Sequence, residues 1–448
     1  MDVDHPMVRQ LLDVLRIPSV STGEPDREAC QQAASWYVDK VRSAGGTCDL
    51  VDLGGNPLVI GELRANRDDA PDVLVYGHYD VQSVGDLDLW DHDPFDPKIE
   101  DGRIWARGAS DDKGNSWPTI YVACELAERG ELGVNVRIFV EGEEEAGSKA
   151  AMRWIESDER GADAAIVFDS GSVDARTPAI TIGTRGIVEA IVECRTATRD
   201  VHSGVYGGSV FNAIHVLARA LEAVLPGPDG LLRDELRKGL IAVTDAERKS
   251  WELFPPGDRV IEASGATPLT AGSGAKYFER NGFEPSVDIT MFTSGEQRTI
   301  VPALARCNLS MRLGPGQDPV AMKAEVERLL NEAAPDAAEL SFRWSKGVEA
   351  ASFDPESPPL RLAREAFAEA CGAEPLLYRL GGSIPILGPW MRKGIQTIVS
   401  GFASGRDNIH APNESYDLRS LEMGAKASEA LYRRLAELPR HAVNVATP

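Results

Sequence analysis

Three short apolar runs stop abruptly at histidine or carboxylate residues, and this pattern constrains the fold more than any other feature of the chain. Val73–Tyr76 reads as a buried strand, since β-branched and aromatic residues suit a pleated core surface; Gly77, His78 and Asp80 follow it. Val134–Val140 repeats the pattern and runs into Glu141, Glu143, Glu144 and Glu145, with Asp111 in a loop between the two strands. Ala164–Phe168 is a third run, delivering Asp169. In an open α/β sheet, ligands bind in the crevice outside the carboxyl ends of the strands. Taken alone, EGEEEAGS equally suits an acidic first turn of a helix, and a lone His78 is an ordinary structural histidine. Acids crowded behind a buried strand repel one another, however, unless a cation or a proton offsets the charge. A divalent metal is therefore the better reading. Histidine with several carboxylates and no cysteine cluster suits zinc, manganese or cobalt.

A chain of 448 residues is too long for one ordinary core, so two domains are expected. The net charge of −23 argues against a nucleic-acid or anionic-membrane surface. The six cysteines, Cys30, Cys48, Cys124, Cys194, Cys307 and Cys371, are scattered without a CxxC pair and read as reduced core residues. The first residues, MDVDHPMVRQLL, carry neither a basic start nor a long apolar run, so no signal peptide or transmembrane span is expected and the cytoplasm is the default.

Amphipathic helices are predicted at Val8–Leu15 and Asp26–Ala44, the second closed by Gly45-Gly46. One or two strands follow within Val51–Leu63, and a helix runs from about Lys113 to Arg129. From Ala179 the pattern changes. Strands at Ala179–Glu193, Val287–Phe292 and Ala303–Leu313, with helices at Val210–Val224 and Pro319–Glu332, make an antiparallel α+β unit. The fold class expected is therefore α/β, a catalytic domain with a mixed, mostly parallel sheet flanked by helices. It spans 1–186 and 351–448, with an inserted α+β domain at 187–350. Leu225–Gly274, long and rich in turn residues, carries no legible chemistry.

GHYDVQ, ARGASDDKG and EGEEEAGS resemble signature blocks of the two-zinc metallopeptidase family of carnosinase-like dipeptidases, aminoacylase, acetylornithine deacetylase, succinyl-diaminopimelate desuccinylase and glutamate carboxypeptidase. FDSGS, RDVHSG, RTIVP and NIHAPNE continue the match in family order over nearly the whole chain. HYDVQ leans toward the dipeptidase branch. The resemblance implies two divalent ions, zinc first and manganese or cobalt next. One is held by His78, Asp111 and Asp169, and the other by Asp111, Glu145 and His410. It implies a cis peptide at Asp111–Asp112, Asp80 as the group orienting His78, and Glu144 as general base, with Glu143 its rival. It also makes the inserted domain a lid and dimer contact, so that a homodimer is expected. There His202 would donate to the oxyanion, while Thr299 and Arg312 would hold the substrate carboxylate. Ser383, and His410 beside its metal, would contact substrate from the catalytic side.

The function implied is hydrolysis of an amide bond near a free C-terminal carboxylate in dipeptides or short peptides, by a hydroxide shared between the two ions. The alternative on the same scaffold is an N-acyl-amino-acid deacylase, toward which Leu380 points because dipeptidase-like relatives tend to carry an acid there. A silent peptide-binding protein is disfavoured by the complete ligand set. A dinucleotide enzyme is disfavoured because no GxGxxG follows the first strand.

Overall fold

The computed structural model describes residues 1–174 and 176–440; the end of the expected catalytic segment, 441–448, lies outside the described residues. The chain divides into two compact units. The first comprises Met1–Ile182, Phe353–Leu377 and the chain from Pro385 onward, and the second comprises Gly183–Ser352 and Tyr378–Ile384. The short return segment that carries Ser383, expected on the catalytic side, thus groups with the second unit. The reason is local bonding: Arg379 pairs with Glu247, and Ser383 bonds Arg185 and Arg312.

In the first unit the strands β1 (Thr47–Val51), β2 (Leu58–Leu63), β3 (Asp72–His78), β4 (Asn135–Glu141) and β5 (Ala164–Phe168) lie in the order β1-β2-β4-β3-β5. Thr397–Ser400 and then Ala179–Thr184 follow β5. The sheet is mixed. β4, β3, β5 and Thr397–Ser400 run parallel, whereas the flanking pairs are antiparallel. β4 and β5 are buried at every position, and β3 at every position after its first residue. Such continuous apolar runs suit parallel strands covered on both faces. All four parallel strands point their carboxyl ends to one edge, which is where the acids and His78 emerge.

The helices α1 (Pro6–Leu15), α2 (Arg27–Ser43) and α3 (Lys113–Glu128) hold that edge in place. α2 packs on β1 and β2 and stops where Gly45 takes φ 84°, the left-handed conformation that glycine adopts without penalty. α3 is buried nearly all round, as a helix inside a large core must be. The Lys113 ammonium at its start donates to the carbonyls of Val14 and Ile17, tying α3 to the end of α1. No helix among the described residues is long and apolar enough to cross a membrane.

The second unit is a four-stranded antiparallel sheet in the order Ser286–Ser294, Leu304–Leu313, Gly186–Arg195, Glu339–Trp344. Val188, Ala190, Val192 and Cys194 alternate with more exposed residues and pack into one apolar core with Val216, Leu217 and Val326 of the helices Ala213–Leu221 and Pro319–Ala333. The unassigned stretch 225–274 folds as short helices, including Asp245–Trp251 and Gly257–Ala263. Its anchor is Glu247, fully buried and 2.5 Å from Arg379 Nε.

Candidate active site

Each predicted metal-binding side chain leaves a strand end or the loop just beyond one. His78 closes β3, Asp169 follows β5, and Glu144 and Glu145 form a single 3₁₀ turn beyond β4. Asp111 precedes α3; the Asp111–Asp112 peptide is cis. His410 comes from the loop before the helix Leu418–Leu435 and takes φ 62°, as do its neighbours Asn408 and Asn413 at similar positive angles. A non-glycine residue held in this region is frequent at functional sites.

These residues converge into two groups that share Asp111. Ligand atoms of His78, Asp111 and Asp169 lie within 4.8 Å of one another, and so do those of Asp111, Glu145 and His410. His78 Nε2 is 3.2 Å from Asp111 Oδ1 and 3.9 Å from Asp169. His410 Nε2 is 2.9 Å from Asp111 Oδ2 and 3.2 Å from Glu145 Oε1. Among the described residues no lysine or arginine ion-pairs with any of these carboxylates.

The residues fit a pair of divalent cations. Glu145 Oε1 is buried and makes no hydrogen bond, although an imidazole nitrogen lies 3.2 Å away. Two donors aimed at a common point, rather than at each other, have that arrangement. Three protein donors for each ion would leave room for water or substrate, as catalytic sites require.

The electrostatics describe a site charged beyond what its own residues can offset. Burial works to raise the Asp111 carboxyl, but hydrogen bonds from His410 and His78 outweigh it and hold it below the usual range. Burial pushes Asp169 well up, with Asp112 adding to it. Burial, opposed by His78 and reinforced by Glu145 and Asp80, pushes Glu144 up to about 7. The facing carboxylates of Asp111 and Glu145 raise His410 to about 10. His78 is also raised, its bonds to Asp111 and Asp80 outweighing burial.

Around these groups lies a set of buried supports. His78 Nδ1 is 3.0 Å from the Asp80 carbonyl and 3.3 Å from its carboxylate. That carboxylate also accepts the backbone N–H groups of Glu144 and Glu145 and the Ser21 hydroxyl. Asp80 therefore shapes the acidic turn as well as meeting His78. Gln82 donates to Glu145 Oε2 at 2.8 Å, leaving Oε1 as the inward oxygen. Glu143 spends both oxygens on backbone, accepting from Asn56 and Ala150. The Glu144 carboxylate has no hydrogen-bond partner among the described residues.

Glu414 is the support least visible in the sequence. Fully buried, it accepts from Arg107 at 2.7 Å and from the backbone N–H groups of Gly108, Ser110 and Asp111. It lies in NIHAPNE with His410, so one loop supplies a predicted ligand and the group that holds the backbone of Asp111. The motif offered its position; only the fold shows its task.

The remaining predicted residues lie in the second unit. His202 pairs across a two-residue ladder with Ile300, beside Thr299. Its Nδ1 accepts from Gly204 N, so the neutral ring carries its proton on Nε2 and can donate from there. Arg312 Nη1 donates to Ser383 Oγ at 3.2 Å.

Residues 74–434 match the model of peptidase family M20/M25/M40. The chain belongs to this family. Among curated relatives, it is 25% identical to rat Beta-Ala-His dipeptidase, over 90% of this chain and 86% of that one. It is 27% identical to the Cys-Gly metallodipeptidase DUG1 of Saccharomyces cerevisiae, over 96% of each. Among solved structures, an M20 family metallo-carboxypeptidase, Sso-CP2 from Sulfolobus solfataricus, superposes with a TM-score of 0.85 at 26% identity, covering 98% of this chain and 100% of that one. The family assignment accounts for the order of the sequence blocks and for the mixed sheet carrying them.

Metal ligation needs both imidazoles neutral, whereas in the metal-free M20 chain His410 and His78 hold their protons through neutral pH. Loading should therefore release protons and tighten as pH rises from about 6 to 8. Calorimetric titration of Zn²⁺ into metal-stripped protein reads both quantities. An affinity flat across that range would remove these histidines from the ligand set.

Proposed function

We propose that this M20 peptidase hydrolyses the amide bond of dipeptides or short peptides beside a free C-terminal carboxylate. The observation that carries the reading is the pair of ligand groups sharing Asp111, with an unengaged, pKa-raised Glu144 next to ligand Glu145. His78, Asp111 and Asp169 would hold one divalent ion, and Asp111, Glu145 and His410 the other, zinc first by donor type. Such ions would supply Lewis acidity, making water a nucleophile at neutral pH and polarising the scissile carbonyl.

The chain's own side chains do the remaining work. Glu144 takes the proton that water loses as its oxygen bonds the carbonyl carbon. It returns that proton to the amine nitrogen as the C–N bond breaks. A pKa near 7 suits both halves of this task, and nearby cations would draw it further toward the base form. His202 donates from Nε2 to the developing oxyanion, while Arg312, Thr299 and Ser383 hold the carboxylate, arginine through its planar fork. Glu143 is the weaker candidate for the base because both of its oxygens are already taken.

Dipeptides are favoured over N-acyl amino acids because the relatives described above carry dipeptidase names. The homodimer reading is supported by a run of exposed apolar side chains in the second unit, Val205, Tyr206, Val210 and Phe211, with Met291 and Phe292 on its edge strand. Exposed apolar patches of this kind mark interaction surfaces. The six unpaired cysteines suit a reducing compartment, in keeping with the cytoplasm.

Glu144→Gln should lower kcat by at least about three orders of magnitude while two metals per chain remain by elemental analysis; near-normal turnover would move the base elsewhere. With metal supplied, dipeptides such as Ala-Ala should be cleaved far faster than N-acetylalanine, and the reverse ranking would revive the deacylase. Sedimentation should find a dimer that Phe211→Glu together with Phe292→Glu dissociates. A monomeric parent protein would refute that part of the reading.

A further inference from the structure

Four arginines are buried among the described residues: Arg107, Arg137, Arg185 and Arg379. Three of them meet a carboxylate, Arg107 with Glu414 at 2.7 Å, Arg137 with Asp158 at 2.8 Å and Arg379 with Glu247 at 2.5 Å. Arg185 is the exception. It is 8% exposed, and no acid among the described residues ion-pairs with it. Its Nε donates to Gly381 O at 3.0 Å, and its Nη1 to the carbonyls of Glu284 and Arg280 and to Ser286 Oγ. Among the described residues, Nη2 donates to none.

A second guanidinium lies beside it. Ser286, which Arg185 bonds, stands opposite Arg312 in the sheet register. Ser383 joins the two arginines, donating from Oγ to the Arg185 carbonyl at 2.6 Å and accepting from Arg312 Nη1. Burial and then Arg312 lower the Arg185 pKa to about 10, with Asp288 opposing, so Arg185 stays charged at neutral pH. Two neighbouring cations, one of them buried, are unfavourable without an anion. Gly381 keeps the approach open, since a Cβ there would stand 3.4 Å from Nη2 and 2.9 Å from the Asn281 carbonyl.

We propose that Arg185 is a second recognition residue for the substrate's C-terminal carboxylate, its free Nη2 edge acting with Arg312 and Ser383 on the same anion. The inference rests on the reading of Arg312 as a carboxylate-binding residue, and it assigns the missing partner of Arg185 to the ligand. The fork geometry of arginine allows one nitrogen edge to serve the protein and the other the ligand.

The test compares a dipeptide with its C-terminal amide on the full-length, metal-loaded enzyme. The parent should prefer the acid. Arg185→Met should raise KM for the acid by about 10- to 100-fold, the range for losing one hydrogen bond to a charged group. Its kcat should stay within a few-fold, and its kinetics on the amide should hardly move. An unchanged acid-to-amide ratio in folded Arg185→Met, while Arg312→Met collapses that ratio, overturns the proposal and leaves the Arg312 reading intact. A parent that never distinguishes acid from amide overturns the carboxylate reading as a whole. Should thermal melting show Arg185→Met unfolded, Arg185→Lys decides. Lysine keeps the charge but loses the fork, so a several-fold fall in the ratio supports the proposal and no fall overturns it.

Discussion

One carboxylate set between two imidazoles is the constraint on which the first unit depends. Asp111 offers one oxygen to His78 and the other to His410, and each imidazole faces a further acid. Two histidines cannot neutralise Asp111, Asp169, Glu144 and Glu145 together, and burial makes the deficit expensive. Pairing each acid with lysine or arginine would have been the structural solution. The chain uses that solution elsewhere, at Arg107–Glu414 and Arg137–Asp158, and withholds it here. The residual negative charge is what two divalent ions would balance, so the electrostatic misfit is the chemical function in latent form.

Holding such a misfit in place requires a rigid frame, and the frame is made of satisfied buried groups. Glu414 fixes the backbone that carries Asp111, while Asp80 fixes the turn that carries Glu144 and Glu145. Gln82 orients Glu145 by taking one of its two oxygens. These supports spend their polar atoms on backbone, on Ser21 and Arg107, and on the outer faces of His78 and Glu145. Glu145 Oε1 is left without a hydrogen bond, and a side chain held by its neighbours in this way reorganises little when a cation or substrate arrives.

What the sequence made legible follows from range. A strand ending in His or Glu is a local pattern, and so are glycine-stopped helices; β3, β4, β5 and α2 were readable because neighbouring residues determine them. The side chains that converge on Asp111 were readable through motif blocks, each short and contiguous. Glu414 was quoted within its block, yet its task depends on a loop some three hundred residues earlier in the chain, which no local pattern encodes. The stretch 225–274 stayed silent for the same reason: Glu247 is one acid among many until Arg379 meets it from beyond residue 350. Ser383 was misplaced because glycines beside a serine disclose flexibility and not which unit the segment will join.

The two units carry opposite imbalances of charge. The first concentrates acids without enough cations, while the second concentrates guanidinium groups, Arg185 and Arg312, without an acid between them. The protein as a whole bears a net charge of −23, so its long-range field repels an anionic substrate rather than gathering it. Recognition of a carboxylate must then come from short-range contacts in a place where solvent screens little, and a buried arginine with one free edge meets that demand.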